Sequence, residues 1–354
     1  MTGSGPPVIT VIVVSWNGVH LLEDCLGGLG RQDLDPLLWS VLVVDNGSTD
    51  GTTGFLARHH PGVRLLRSPV NRGFAGGAHL AIAEVTTPYV VLLNNDAVPE
   101  PRFLSALLGA AEADDAERVA AVTAKVVLKP RFRLLPPGSE VDPDRGDVVT
   151  PDGVARPDPA GDVDVLNSTG NELTRAGYGR DRSWLQVDRG VEPPEDVFAF
   201  CGAAALLRTA ALREVGDFDE DFFLYYEDTD LSWRLRGAGW GIRYEPAAVV
   251  RHAHAASSDV RSRLFRFHDD RNRLLLLTRN APARVAAAAA LRYPLTVASL
   301  TVRQGPARAM TGTRVRAFGS YLRLLPRTLR RRRAIRRAAV APPRSMAGYL
   351  VEDR

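Results

Sequence analysis

The sequence predicts an α/β fold: a mostly parallel central sheet flanked by helices, followed by a basic helical tail at the C-terminal end. Three observations carry this. Val90-Val91-Leu92-Leu93 is a run of apolar residues, β-branched at the start, as expected of a strand buried on both faces in a helix-covered parallel sheet. Two similar runs, Val8 to Val14 and Val41 to Val44, alternate with residues at helical spacing, which is the βαβ pattern. Each run also ends abruptly in polar, turn-forming residues, and ligands of open α/β sheets bind at such strand tips.

Taken in order, Val8–Val14 stops at Ser15-Trp16-Asn17-Gly18, and Leu21, Leu22, Cys25, Leu26 and Leu29 then recur at helical spacing. Val41–Val44 ends in the acceptor-rich loop Asp45 to Thr52. Val63–Leu66 reads as a short strand leading to Asn71-Arg72-Gly73-Phe74-Ala75-Gly76-Gly77, whose glycines and arginine before a helical run make a plausible phosphate-facing helix start. The central strand gives way to Asn94-Asn95-Asp96, and Pro99 and Pro101 prevent it from continuing. A helix over Phe103 to Glu112 and a strand over Val119 to Val127 follow. Residues 130–194 are rich in Pro, Gly, Asp and Arg, which suggests long functional loops or an inserted hairpin over the crevice. Val197 to Leu207 is apolar and small, either a buried strand or backbone packed close to substrate. A helix from Asp228 carries Leu231 and Leu235 on one face, pairs Asp230 with Arg234 and ends at Gly237 and Gly239. Tyr244–Val250 is a last strand, with His252 and His254 just beyond it.

The 354 residues are 45% hydrophobic and 24% charged, ordinary for a globular chain. The net charge of +4 comes from the tail: from Arg303 onward fourteen arginines face two acids, Glu352 and Asp353. Cys25 and Cys201 are far apart in apolar segments, suggesting neither a disulfide framework nor a cysteine metal site. Residues 1–7 lack a basic region, so no signal peptide is expected. No run approaches the ~18 uncharged apolar residues of a membrane span.

Three groups carry candidate chemistry. Asp96, at the tip of the central strand, could hold a divalent cation whose remaining ligands are water and phosphate, and His252 could complete that shell as a neutral imidazole. Asp45 could bind a ribose hydroxyl or a base, or form a turn in which Ser48 and Asp50 cap the next helix. Glu227 and Asp228 sit in the first turn of the late helix, where the dipole favours acids. The aromatic run Phe222 to Tyr226 before them supplies a partly dry wall against which a carboxylate could accept a proton.

The ordered set Val43–Asp50, Asn71–Gly77, Leu93–Asp96 and Tyr226–Arg234, followed by His252, resembles family 2 glycosyltransferases of the GT-A fold, specifically the bacterial rhamnosyltransferase-like branch, over about Val8 to Asn280. The resemblance implies inverting transfer from a nucleoside-diphosphate sugar with a divalent metal, Mg²⁺ or Mn²⁺. It places Ser15, Trp16, Asn17 and Asp45 at base and ribose, Asp96 at the metal, Asp228 with Glu227 at acceptor activation, and His252 at the late metal or diphosphate position. Asn46, Ser48, Arg72, Gly73, Gly76, Asn94 and Asn95 complete the expected donor-binding set. Asn94 stands where the family's Asp-x-Asp motif has its first Asp, which makes metal affinity depend on bound nucleotide. The expected division is a donor-binding half over 1–128, an acceptor and catalytic half over 129–280 with the loops 130–194, and the tail over 281–354.

In the tail, Leu322, Leu325 and Leu329 lie at helical spacing beside Arg323, Arg327 and Arg330 to Arg333, a basic amphipathic pattern suited to an anionic membrane surface. Sparse aromatic interleaving favours membrane over nucleic acid. A glycan or polyprenyl-diphosphate-linked acceptor, and a cytoplasmic location peripheral to the inner face of the plasma membrane, would suit that placement. Among rivals, a nucleotide-dependent oxidoreductase would need the absent Gly-x-Gly-x-x-Gly fingerprint, and a glycosidase would need carboxylates facing each other across the bond. A non-catalytic nucleotide-sugar-binding protein with the same tail is the alternative.

Overall fold

The computed structural model describes residues 6–190, 195–253, 262–302, 309–341 and 343–353. Its first half follows the predicted alternation: β1 (Ile9–Ser15), α1 (Val19–Leu29), β2 (Trp39–Asn46), α2 (Thr52–His59), β3 (Arg64–Ser68), α3 (Gly73–Ile82) and β4 (Tyr89–Leu93), then a short β5 (Ala97–Pro99), α4 (Phe103–Glu112) and β6 (Val119–Leu128). Strands β3, β2, β1 and β4 lie side by side in parallel. Burial alternates along them as a two-sided strand requires. Ile12, Val90 and Leu92 join one core, while Ile9, Val11, Val13, Val91 and Leu93 join the core on the other face. Leu22, Cys25, Leu26 and Leu29 of α1 fill the second core at the spacing the sequence showed. Both cysteines are buried and free.

Residues 130–190 are an elaboration of small sheets: β7 (Phe132–Leu134), β8 (Val148–Thr150) and β9 (Gly153–Pro157) form one, β10 (Leu166–Ser168) pairs with β6, and β11 (Asn171–Thr174) pairs with β12 (Gly179–Asp181). The main sheet then resumes with β13 (Glu195–Asp196) and β14 (Ala204–Arg208), which inserts antiparallel between β4 and β6. After α5 (Thr209–Val215) and α6 (Glu227–Gly237), β15 (Gly241–His252) runs parallel to β6. The expected Asp230–Arg234 pair is present at 2.9 Å.

Helices α7 (Arg263–Asn280), α8 (Ala283–Thr301) and α9 (Thr311–Ala338) form the C-terminal layer. Part of the tail's charge is spent inside the molecule: Arg331 pairs with Asp219, Arg327 with Asp221 at 3.1 Å, and Arg332 donates to the carbonyl of Thr278 at 2.6 Å. Fully buried Arg279 joins the same acids from α7. The chain end then returns to the body, where β16 (Leu350–Val351) pairs parallel with β11. Among the described residues no helix is long and apolar enough to cross a membrane.

Candidate active site

A cleft of about 1230 Å³ opens at the strand tips, and Asn94, Asp96, Glu227, Asp228 and His252 all line it. The two halves of the expected machinery therefore share one space. Asp96 and His252, 156 residues apart, are brought together by β5, a three-residue strand that runs antiparallel to the end of β15 with Ala97 opposite His252. Asp96 Oδ1 lies 3.0 Å from His252 Nε2, and both side chains are buried. His252 Nδ1 lies 2.7 Å from Oδ1 of Asn167, a contact that orients the ring so that Nε2 faces the Asp96 carboxylate. A neutral imidazole and a carboxylate so placed could share a cation in place of their direct contact. Among the described residues no group of three His, Cys, Asp or Glu side chains converges to hold a metal, so such a cation would need phosphate or water oxygens to fill its shell. His254 lies outside the described residues.

The other wall is built by a strained turn. Phe223, Tyr225 and Tyr226 adopt φ of 65°, 70° and 68°, conformations that cost bulky residues roughly 1–3 kcal/mol each. Asn272 of α7, fully buried, offsets this by donating to the carbonyls of Phe222, Leu224 and Tyr225, each at 2.8 Å. On the opposite side, Ala75 N–H donates to Phe223 O at 3.1 Å, and a Cβ on Gly73 would come within 2.1 Å of that oxygen. Gly73→Ala should therefore destabilise the fold by about 2 kcal/mol or more, since Gly73 also sits at φ 69°; a denaturation midpoint equal to wild type would contradict this packing.

The turn delivers Glu227 and Asp228 to the start of α6. Asp228 Oδ2 accepts from Asn171 Nδ2 at 2.7 Å and Gly202 N at 3.0 Å, and Oδ1 from Thr229 N at 2.6 Å. Burial raises the Asp228 carboxyl above its ordinary value, and these donors pull in the opposite direction. Glu227 is different: its Oε2 is buried with no hydrogen-bond partner among the described residues, and burial, then the neighbouring Asp228, pushes it from 4.5 up to about 8. The two carboxyls thus differ in surroundings: three N–H groups point at Asp228, while Glu227 Oε2 meets no donor among the described residues. A carboxyl whose folded pKa lies above its unfolded one stabilises the fold at low pH, and that contribution is lost as pH rises from about 4.5 through about 8. Glu227→Gln should flatten the fall in melting temperature across that window, and equal slopes in both proteins would contradict a buried neutral Glu227.

The remaining expected donor residues hold the strand tips to one another. Asp45 accepts from Ser48 N at 2.9 Å and from Thr53 Oγ1 at 2.7 Å, the turn geometry that was one of the two readings of this residue. Asn17 accepts from Thr49 N at 2.8 Å, and its own N–H donates to Ser48 Oγ. Asn95 Nδ2 reaches Ser15 Oγ at 3.1 Å, and Asn46 ties β2 to Asn71, Arg72 and Gly73. Trp16 is 52% exposed beside them. At the expected phosphate-facing helix start, Gly73 and Gly76 are close-packing positions, the first against Phe223 and the second against Arg72, while Arg72 pairs with Glu220 at 3.1 Å. Gly73 N–H donates to Asn71 Oδ1 and Ala75 N–H to the Phe223 carbonyl. Sequence reasoning missed Asn171, Asn167 and Asp181, all lining the cleft from the 130–194 segment, because no local pattern links a loop residue to a strand tip so far away in sequence.

Residues 10–149 match the model described as Glycosyl transferase family 2, and residues 169–268 match Glycosyl transferase family group 2. The N-acetylglucosaminyl-diphospho-decaprenol L-rhamnosyltransferase of Mycobacterium tuberculosis (strain CDC 1551 / Oshkosh) is 31% identical over 277 residues, 74% of this chain and 81% of that one. This chain belongs to glycosyl transferase family 2. Within the family it is similar to the rhamnosyltransferase branch, which includes the Rhamnosyltransferase WbbL of Escherichia coli, 32% identical over 24% of this chain and 34% of that one. Its fold is that of GT-A glycosyltransferases. The mannosyltransferase PcManGT from Pyrobaculum calidifontis, solved with GDP-Man and Mn²⁺, superposes with a TM-score of 0.51 at 18% identity, covering 90% of this chain and 88% of that one. GalNAc-T7, solved with UDP, GalNAc and Mn²⁺, gives 0.57 at 11% identity over 91% and 57%.

Proposed function

We propose that this glycosyltransferase moves rhamnose, with inversion, from a nucleoside-diphosphate donor to a sugar carried on a polyprenyl diphosphate, in cell-envelope glycan synthesis. The observation that carries the reading is the single cleft shared by Asp96 and Asp228. Similarity to an enzyme named for N-acetylglucosaminyl-diphospho-decaprenol supports the acceptor class. Residues 1–128 would bind the donor, with Trp16 and Asn17 facing the base and Ser15, Asp45, Asn46, Ser48 and Asn95 keeping the tips in place; 129–280 would bind the acceptor. Asp96 and His252, with Asn94 beside them, would hold a divalent cation, Mg²⁺ or Mn²⁺, which when bound would supply charge neutralisation for the departing diphosphate. Asp228, whose charged form the N–H groups of Asn171 and Gly202 favour, takes the proton of the acceptor hydroxyl as that oxygen attacks the anomeric carbon. The test is incubation of the chain and Mn²⁺ with a panel of nucleotide-sugars and N-acetylglucosaminyl-diphospho-decaprenol. A product heavier by one deoxyhexose supports the reading; transfer of another sugar alone, or none, contradicts it.

The tail would hold the enzyme to the inner face of the membrane. On α8, Leu291 and Leu295 are 72% and 70% exposed; on α9 Leu325, expected on the apolar stripe, packs against the core, while Val315, Leu322 and Leu329 repeat at heptad spacing on one exposed stripe beside arginines. The full chain should float with anionic liposomes, and Leu322→Asp with Leu329→Asp should leave it at the bottom of the gradient. A wild-type chain that ignores anionic lipid contradicts this placement.

A further inference from the structure

The cleft wall beside the base carries chemistry that the transfer step does not use. Asp181 of β12 lies directly across from Asn171 of β11, and Asn171 is the residue that donates to Asp228. Asp181 is thus one cross-strand step from the base. The chain then turns through Ser183, Trp184 and Leu185, with Ser183 at φ 62° and Leu185 at φ 58°. A leucine has no short polar side chain to ease a left-handed conformation, so this turn is held by its surroundings. Leu185 N donates to Leu166 O at 2.9 Å, Leu166 N to Gln186 O at 2.8 Å, Ser183 Oγ meets Thr169 Oγ1 at 3.0 Å, and Leu185 packs on the small core around Phe132. With its neighbours fixed in this way, Trp184 is presented on the cleft wall, 40% exposed. Strain that keeps a large aromatic out of a core and in a cleft is the pattern of a ligand contact.

The charge of this wall selects the ligand. Arg180 is paired with Glu172 at 2.8 Å and Arg182 with Glu195, so these basic groups are offset by acids and leave no excess positive charge beside the carboxyls of Asp181 and Asp228. Such a surface repels phosphate and suits a neutral polyol, whose C–H face stacks on an indole while its hydroxyls bond to carboxyl groups. Glu227 Oε2, buried without a hydrogen-bond partner among the described residues, lines the same cleft.

We propose that Trp184 and Asp181, with Glu227, form the subsite for the sugar ring of the acceptor, next to the base and away from the diphosphate-binding end. This rests on the transferase reading above. The position follows from the base: the group touching Asp228 is the acceptor hydroxyl, and the wall adjoining Asn171 is where the rest of that sugar must lie.

Trp184→Ala, Trp184→Phe and Asp181→Asn in the full chain test this, with Mn²⁺, the nucleotide-sugar donor and N-acetylglucosaminyl-diphospho-polyprenol acceptors of long and short chain. Loss of the indole should raise acceptor KM roughly tenfold on both acceptors, the size of a lost aromatic stacking contact. Phenylalanine should restore much of that, and Asp181→Asn should raise acceptor KM as well. Calorimetric affinity for nucleoside diphosphate with Mn²⁺ should match wild type. An unchanged acceptor KM overturns the subsite, as does an equal loss of nucleotide affinity. A rise seen with the long-chain lipid alone also overturns it, since Trp184 would then be touching the membrane. A wild-type chain inactive on these acceptors counts against the acceptor named under the proposed function; the ratio is then read on whichever polyprenyl-diphosphate sugar is used, and a ratio near one overturns the subsite.

Discussion

Asp228→Asn should lower kcat by roughly 10²–10⁴-fold while leaving nucleotide affinity at the wild-type level. The amide has the shape of the carboxylate but cannot take a proton, so binding by the strand tips of β1, β2 and β4 is untouched while activation of the acceptor is lost. The structure adds a pH signature. Because burial raises the Asp228 carboxyl, activity should fall on the acid side at a pH above that of an ordinary carboxylate. Steady-state kinetics with a melting curve for each protein checks both points, and an unchanged turnover number in a folded variant would remove Asp228 from the role.

Asp96→Asn should abolish the metal-dependent part of nucleotide binding. A cation bridging protein and diphosphate is worth several kcal/mol, and Asp96 and His252 are the protein groups the cleft offers it. Titration of nucleoside diphosphate with and without Mn²⁺ should give the wild-type chain at least roughly a 10²-fold gain from metal and the variant almost none. Because Asn94 supplies an amide where a second carboxylate would stand, Mn²⁺ alone should bind the wild-type chain far more weakly than Mn²⁺ with nucleotide. Equal affinities in the two experiments would contradict a site completed by phosphate oxygens.

The sequence carried the parts of this site that are local. The buried strands, helix α4 and the Asp230–Arg234 pair follow from periodicity over a few residues, because side-chain spacing alone decides which face meets a core. The tip of β4 announced itself because a four-residue apolar run ends in amides and an acid. What sequence could not show is pairing at a distance. The three residues of β5 are too few to form a pattern, yet their register with β15 is what sets His252 against Asp96. The same holds for β16, which returns across the whole tail to β11, and for Asn171, whose importance is visible only once its amide is seen on Asp228. Gly73 shows the reverse difficulty. A glycine before a helix is compatible with phosphate binding and with close packing, and the close packing becomes visible only with the carbonyl of Phe223 above it. The basic tail was legible as an amphipathic helix, but not that Arg327 and Arg331 spend their charge on Asp219 and Asp221, in the segment leading to the strained turn.

The central claim is one displacement across one cleft, with Asp228 drawing the proton from the acceptor on the face opposite the departing diphosphate. The anomeric configuration of the new glycosidic bond, read by NMR on the isolated product against that of the donor, tests it most directly. The account predicts inversion; a product that keeps the donor's configuration would contradict it.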